Sequence, residues 1–322
     1  MFCPSISVII PVYNGEKDLL PLIDCLVSQT YNLTQVEFIL VDNNSEDNTA
    51  HLIKEQAQLY QNQNIKIRYI LADKIQSSYY ARNQGIKNSE GKIIAFTDVD
   101  CRPQHDWLEL LIQPFIDEKI MIVAGEIKGL KGNSILEKYA ETNDTLSQKY
   151  TLANELYPYA QTANLAIRKE ALQIIGLFRP YLTTGGDADI CWRLFQELQA
   201  EIKFVRGALV FHRHRNNLKD FQSQWQRYGK SNQYLHQLHG LKLAKNYDNQ
   251  AILLRIGRWI FQDIPKNIIK ITIGKASFFD LIKAPIDIIA SKARSDGQQK
   301  AILPLKAKEI EVMDQPIDTS NK

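Results

Sequence analysis

Cysteine is scarce: there are four in 322 residues, at positions 3, 25, 101 and 191, with no CxxC pair and no zinc-ligand spacing. That excludes a disulfide scaffold and a structural zinc module, and fits the reduced, mostly buried thiols of a cytoplasmic protein. Long apolar runs are also missing. No stretch reaches the roughly 18 consecutive apolar residues that a membrane span needs. The N-terminal run Ile6 to Val12 lacks a basic flank and continues into a turn at Asn14-Gly15, so it does not read as a signal peptide. Net charge is small, +3 overall, too little to argue for a nucleic-acid partner. Neither the dinucleotide-binding glycine fingerprint nor a P-loop occurs, so the phosphates of any bound nucleotide would be held by a metal and side chains rather than a glycine cradle. No internal repeat is found.

What is present is organised around Ile93-Ile94-Ala95-Phe96-Thr97-Asp98-Val99-Asp100-Cys101. An apolar run ending in two carboxylates at i, i+2, with Pro103 beyond, reads as a buried strand that stops where charge begins, with a helix starting near the proline. Ligands of open α/β sheets bind beyond the carboxyl ends of strands. Two carboxylates there suit a divalent cation, Mg²⁺ or Mn²⁺, which takes carboxylate oxygens plus substrate phosphates. Capping of the next helix is the structural alternative.

Strand patterns at Ser5–Tyr13, Val36–Val41, Ile65–Leu71 and Lys92–Thr97 alternate with helical patterns, among them Asp47–Tyr60 and Ser77–Lys87. Short polar turns separate them, which is the signature of a doubly wound, mostly parallel sheet over roughly the first 120 residues. Further strands are expected at Ile120–Lys128, Ala163–Arg168, Ile202–Val205 and Ala208–Phe211, and helices at Ile135–Tyr150, Asp187–Leu198 and Leu218–Leu238. The length suits one large domain with an appendage. The expected division is 1–240 catalytic, 241–294 a basic amphipathic helical appendage, and 295–322 a disordered tail poor in aromatics.

Polar clusters fall just after the early strands: Pro11-Val12-Tyr13-Asn14-Gly15-Glu16, then Asp42, with Ala81-Arg82-Asn83 on the helix before the aspartate pair. In this order and spacing, SVIIPVYNGE, VDNNSEDNT, ARNQGI, AFTDVDC, GGDADICWR and the late His212 resemble a family-2 glycosyltransferase with the nucleotide-sugar-binding GT-A fold, over about residues 5–230. The resemblance implies an α/β GT-A architecture and a metal-assisted, inverting transfer from a nucleoside-diphosphate sugar, a UDP-sugar foremost, to a saccharide or lipid-linked acceptor. It implies that Pro11, Tyr13, Glu16 and Asp42 line the nucleoside pocket, that Arg82 lies near base and diphosphate, and that Asp98 contacts ribose or sugar. Asp100 would ligate the metal, with His212 as a further ligand or diphosphate contact and Mn²⁺ then favoured by imidazole.

Asp187 would be the base, projecting from a loop that Gly185-Gly186 makes flexible. Gly186 departs from the commoner pattern, in which an acidic residue stands there, so Asp189 stays open as the alternative base. Asp189 could equally serve the helix N-terminus or pair with Arg193 at i+4. Asp189, Trp192 and Asn164 are placed tentatively on the acceptor side. A non-catalytic nucleotide-sugar-binding scaffold is the alternative function, though loss of catalysis should strike Asp98, Asp100, Asp187 and His212 first.

From Ala251 to Arg294, eight Lys or Arg stand against three Asp. There, apolar residues recur at three and four positions, interrupted by Pro265. Such a segment either lies on an anionic membrane surface or covers another protein face. The expected place of work is the cytoplasm, peripherally on the inner face of a membrane.

Overall fold

The structure is a computed structural model and describes residues 2–154 and 157–313. The chain runs β1 (Ile6–Val12), α1 (Glu16–Val27), β2 (Val36–Asp42), α2 (Thr49–Gln61), β3 (Lys66–Leu71), α3 (Ser78–Lys87), β4 (Ile93–Phe96) and β5 (Cys101–Pro103). It continues through α4 (Trp107–Ile112), β6 (Ile122–Gly129), α5 (Ile135–Thr142), α6 (Gln148–Leu152), β7 (Leu165–Arg168), α7 (Lys169–Ile175), α8 (Gly186–Leu198) and β8 (Ile202–His212). Four more helices follow: α9 (Leu218–His239), α10 (Asn249–Arg258), α11 (Ile264–Thr272) and α12 (Phe278–Lys300).

Two compact units result. The first holds residues up to Lys128, Leu146–His212 and the described residues from Pro304 on. Its eight strands form one sheet in the order β3-β2-β1-β4-β7-β6-β8-β5. The β3-β2-β1-β4 half is parallel, and β1 and β2 are buried along their whole length, as strands covered on both faces must be. From β7 on, the paired strands run antiparallel. The core fills with aliphatic residues of β1, α1 and β2, joined by Trp107 and Phe115. The mixed α/β expectation holds for this unit.

Several boundaries differ from the pattern reading. The chain does not leave the sheet at Pro103, because Cys101–Pro103 pairs with β8 at the sheet edge, where a proline without an N–H is tolerated. The two strands expected between 202 and 211 are one continuous β8. The helix expected over 135–150 is two, broken where Asp144 and Leu146 take positive φ. The disordered tail from 295 is also corrected. Helix α12 runs to Lys300, Leu303 and Ala307 are buried, and Leu177 N–H donates to Glu311 O at 2.7 Å. Low aromatic content did not preclude order, since one well-placed carboxylate and a small buried side chain suffice to dock a short segment. The rest of that expected tail, 314–322, lies outside the described residues.

The second unit holds Gly129–Thr145 and Arg213–Leu303. Its core joins Tyr139 of α5, Phe221 of α9 and Phe279, Ile286 and Ala290 of α12. Helix α9 therefore belongs with the later helices, not with a catalytic domain ending at 240. Gly229 and Gly297 let α9 and α12 approach backbone to backbone: a Cβ on Gly229 would stand 1.8 Å from Arg294 O.

Candidate active site

The parallel half of the sheet delivers its polar groups to one edge, beyond the carboxyl ends of β1, β2 and β4. Pro11 is buried in β1, Tyr13 is half exposed just past it, and Glu16 opens α1 with its N–H donating to Asp47 Oδ2. Asp42 closes β2 and is 2% exposed. Its Oδ1 accepts from Ser45 N–H at 2.9 Å and its Oδ2 from the Tyr69 hydroxyl at 3.2 Å. Burial, then the Asp42 charge, pushes the Tyr69 phenol up to about 12, so it stays a donor.

Helix α3 is capped by Ser77, whose hydroxyl accepts from Tyr79 and Tyr80 N–H and donates to Leu182 O at 2.9 Å. The helix thereby brings Arg82 beneath the aspartate pair. Arg82 is 4% exposed and donates from Nη2 to Asp98 Oδ1 at 2.6 Å, while its buried Nε–H has no hydrogen-bond partner. A buried, unpaired guanidinium N–H beside a ligand edge invites an anionic acceptor.

The edge strand β5 explains how residues far apart in sequence meet. Antiparallel pairing sets Cys101 opposite His212, and His212 Nε2 then lies 3.2 Å from Asp100 Oδ1. Among the described residues, Asp100, Cys101 and His212 bring ligand atoms within 4.8 Å of one another. Asp100 and His212 offer the oxygen and imidazole nitrogen that a divalent ion such as Mn²⁺ accepts, so the donor set fits a metal. Cys101 is less suited. Its Sγ sits in the core 4.0 Å from Ala163 O, and burial pushes the thiol well above its ordinary value.

The facing wall is α8. Gly185 precedes it with φ +83°, in the left-handed region, and a Cβ on Gly186 would stand 2.7–2.9 Å from the Tyr79 ring. Tyr79 thus gives a physical reason for glycine at 186, where an acidic residue was the commoner pattern. Asp187 lies inside the first turn of α8, not on a preceding loop as expected, because the helix begins at Gly186. Its Oδ1 accepts from the Thr162 hydroxyl at 3.1 Å and its Oδ2 from Thr162 N–H at 3.3 Å. Burial raises its pKa above the ordinary carboxylate range. Arg82 and the Thr162 donors oppose that rise, and the Asp98 charge adds to it.

The tentative acceptor residues divide. Asp189 is fully buried between Arg179 Nε at 2.9 Å and Arg193 Nε at 3.1 Å, so it is a structural anchor and not an accessible base. Asn164 is corrected likewise: fully buried, it accepts from Trp107 Nε1 and donates to Glu126 O and Ala208 O. Trp192 donates to Pro158 O and stands among Tyr157 and Tyr159 as part of a wall. The pattern reading missed Tyr69, Tyr79 and Thr162. Tyr79 was within reach, one helical turn before Arg82 on the same face. The other two arrive through strand pairing and a short helical turn at Thr162–Asn164 distant in sequence, which leave no local signal.

A curled sheet with a parallel β3-β2-β1-β4 half, Asp42, Asp98 and Asp100 lying beyond its strand ends, is an α/β architecture of GT-A type. Residues 7–176 match the profile of glycosyl transferase family 2, and the chain belongs to that family. It is 34% identical over 187 residues to the glycosyltransferase AglE of Haloferax volcanii, covering 57% of this chain and 59% of that one. It is 31% identical over 156 residues to the pre-mycofactocin glycosyltransferase of Mycobacterium tuberculosis, covering 47% of this chain and 33% of that one. The matched stretch therefore spans about a third to three fifths of these relatives. A third relative, from Methanococcus voltae, is 29% identical over 136 residues, covering 42% of this chain and 40% of that one. Its name describes a diacetamido-dideoxyglucuronosyltransferase acting on dolichyl N-acetylglucosaminyl phosphate. In fold, the chain resembles the mannosyltransferase PcManGT from Pyrobaculum calidifontis, solved with GDP-Man and Mn²⁺. The TM-score is 0.65 at 14% identity, over 93% of this chain and 88% of that one. Glucosyl-3-phosphoglycerate synthase from Mycobacterium tuberculosis, solved with Mg²⁺ and UDP, gives 0.54 at 19% identity, over 74% and 80%.

Proposed function

We propose that the protein is an inverting glycosyltransferase that moves a sugar from a nucleoside-diphosphate sugar, a UDP-sugar, to a hydroxyl of a saccharide or lipid-linked saccharide. The observation that carries this reading is the Arg82 bridge. One guanidinium pairs with Asp98 at 2.6 Å, and its charge partly offsets the rise that burial imposes on Asp187, so Asp98 and Asp187 stand around one buried cation. The lipid-linked acceptor is supported by the dolichyl phosphate compound in the name of the Methanococcus voltae relative. Work in the cytoplasm, against a membrane surface, is part of the same proposal.

In this reading Asp42, held by Ser45 and Tyr69, accepts hydrogen bonds from the base, and Pro11, Tyr13 and Glu16 flank the nucleoside. Arg82 Nε–H donates to a diphosphate oxygen. Asp98 orients ribose or sugar. Asp187 takes the acceptor hydroxyl proton as that oxygen forms its bond to C1. The C1–O bond to the diphosphate breaks on the other face, and the configuration at C1 inverts. Asp100 and His212 would hold a divalent cation, Mn²⁺ or Mg²⁺, whose contribution is to stabilise charge on the departing diphosphate.

Two variants test this. Asp100→Ala should abolish the Mn²⁺-dependent part of UDP binding, measured by calorimetry, without loss of fold. Asp187→Asn should reduce sugar transfer by about 10²-fold or more yet leave UDP affinity within about twofold, because the base acts on the acceptor. A protein that binds UDP-sugars but neither transfers nor hydrolyses them with any metal is the scaffold alternative. Undiminished metal-dependent UDP binding by Asp100→Ala would refute the ligand assignment.

A further inference from the structure

The second unit presents a face that its own core does not use. Helix α10, a π-helical turn at Trp259–Asp263 and α11 follow without a break from Asn249 to Thr272, a rod of about 36 Å. One side is fixed to α12. Trp259 Nε1 donates to Leu281 O at 2.9 Å, and Asn267 Nδ2 donates to Asp280 O at 3.0 Å. The other side carries Leu253, Leu254, Phe261, Ile268, Ile269 and Ile273, all exposed, with Leu254 at 76% and Phe261 at 80%. A monomer seldom exposes large apolar side chains in so continuous a row.

The charges beside that row are of one sign. Arg258, Lys266, Lys270 and Lys275 are exposed among the apolar residues, and from Leu253 to Lys275 no exposed residue is acidic; Asp263, the one carboxylate there, is half-buried. Lysine and arginine stems can lie along apolar surface while their heads reach outward, which suits a boundary between hydrocarbon and anionic headgroups. A second copy of the chain would bring these cations against their own kind, and like charges opposed across an interface repel. No helix among the described residues is long and apolar enough to cross a membrane. The face is therefore suited to lying on a bilayer, not to passing through it.

We infer that the α10–α11 face docks on an anionic phospholipid surface, with Leu254, Phe261 and Ile268 entering the headgroup–acyl boundary and the four cations pairing with lipid phosphates. None of these residues belongs to the proposed sugar-transfer site, so this inference stands or falls independently of the catalytic reading.

The test is co-sedimentation of the full chain with vesicles of phosphatidylcholine alone, or with about 30 mol% phosphatidylglycerol, at low salt and in about 0.5 M NaCl. The protein should sediment with the anionic vesicles only, and salt should release it. Leu254→Ser/Phe261→Ser should lower partitioning about tenfold or more, and each Lys→Glu exchange at 266 or 270 about fivefold or more. Because these side chains are exposed, thermal unfolding and transfer to a soluble saccharide should not change, which separates lost docking from lost fold. Equal binding to neutral vesicles, no binding at low salt, or variants that bind like the parent would each overturn the inference. So would a concentration-dependent dimer that Leu254→Ser/Phe261→Ser dissolves, since the face would then cover a second copy.

Discussion

Asp187 is held between opposing influences, and its titration reports them. Burial raises its pKa and the Asp98 charge adds to the rise, while Arg82 and the two Thr162 donors pull it down. As the proposed base, it must be ionised, so the acid limb of kcat/KM should lie above the ordinary carboxylate value of about 4. Thr162→Val removes the hydroxyl donor, which favours the ionised form, and should therefore move that limb to higher pH. Transfer rates measured against pH check both points, and a limb that moved down would assign the proton to another group. At this scale the sequence was informative where chemistry is carried by local motifs: Asp98, Asp100 and Asp187 each stand beside a strand end or helix start that pattern alone locates. It left Asp189 and Asn164 undecided, and of the readings open for Asp189 the i+4 pairing with Arg193 is the one found. Alternation and spacing do not say whether a polar side chain near a sheet turns into the core, and both are fully buried anchors.

Between elements, Glu37 links β2 to its neighbours: Ser7 of β1 donates at 2.6 Å, Glu90 N–H at 2.6 Å and Arg68 of β3 at 2.6 Å. Burial would raise its pKa, but these donors outweigh burial and hold it below the ordinary value. The folded-state pKa being the lower one, ionised Glu37 stabilises the fold above the unfolded pKa of about 4.3, and that contribution is lost as pH falls through the folded value. Glu37→Gln should flatten the fall in stability on acidification below about pH 4.3, measured by urea unfolding across pH. In the second unit, Gly229→Ala would press a methyl within 1.8 Å of Arg294 O and should cost about 1–3 kcal/mol, read from the same titration. The parallel strands were legible because a fully buried strand shows as an apolar run with turn residues at its end. The antiparallel strands were less so. Strand β5 is three residues long and exists only through its pairing with β8, a partner more than a hundred residues away.

For the molecule as a whole, the surprise is residues 303–313. Glu311 accepts from Asn83 Nδ2 at 2.7 Å and Lys87 Nζ at 2.5 Å, and Ile310 lies against Gly176. Arg179, which anchors Asp189, donates to Lys308 O. The segment thus fastens α3, which carries Arg82, to the loop leading into α8. Glu311→Ala should cost about 1–2 kcal/mol and lower Tm by a few degrees, followed by calorimetry. It should also reduce turnover more than UDP affinity, since it loosens the loop leading into α8, which bears Asp187, the proposed base. Composition could not reveal this, because the segment acquires its meaning only against side chains 228 positions earlier. That separation has a consequence for synthesis. A ribosome adding about 5–20 residues per second releases Asn83 on the order of ten to fifty seconds before Glu311. Within that interval the edge of β4 stays unpaired for about 3–14 seconds, until its partner β7, more than sixty residues later, has been made. During that wait the free β4 edge offers unpaired N–H and C=O groups to any other strand, well before Glu311 fastens α3 to the loop before α8.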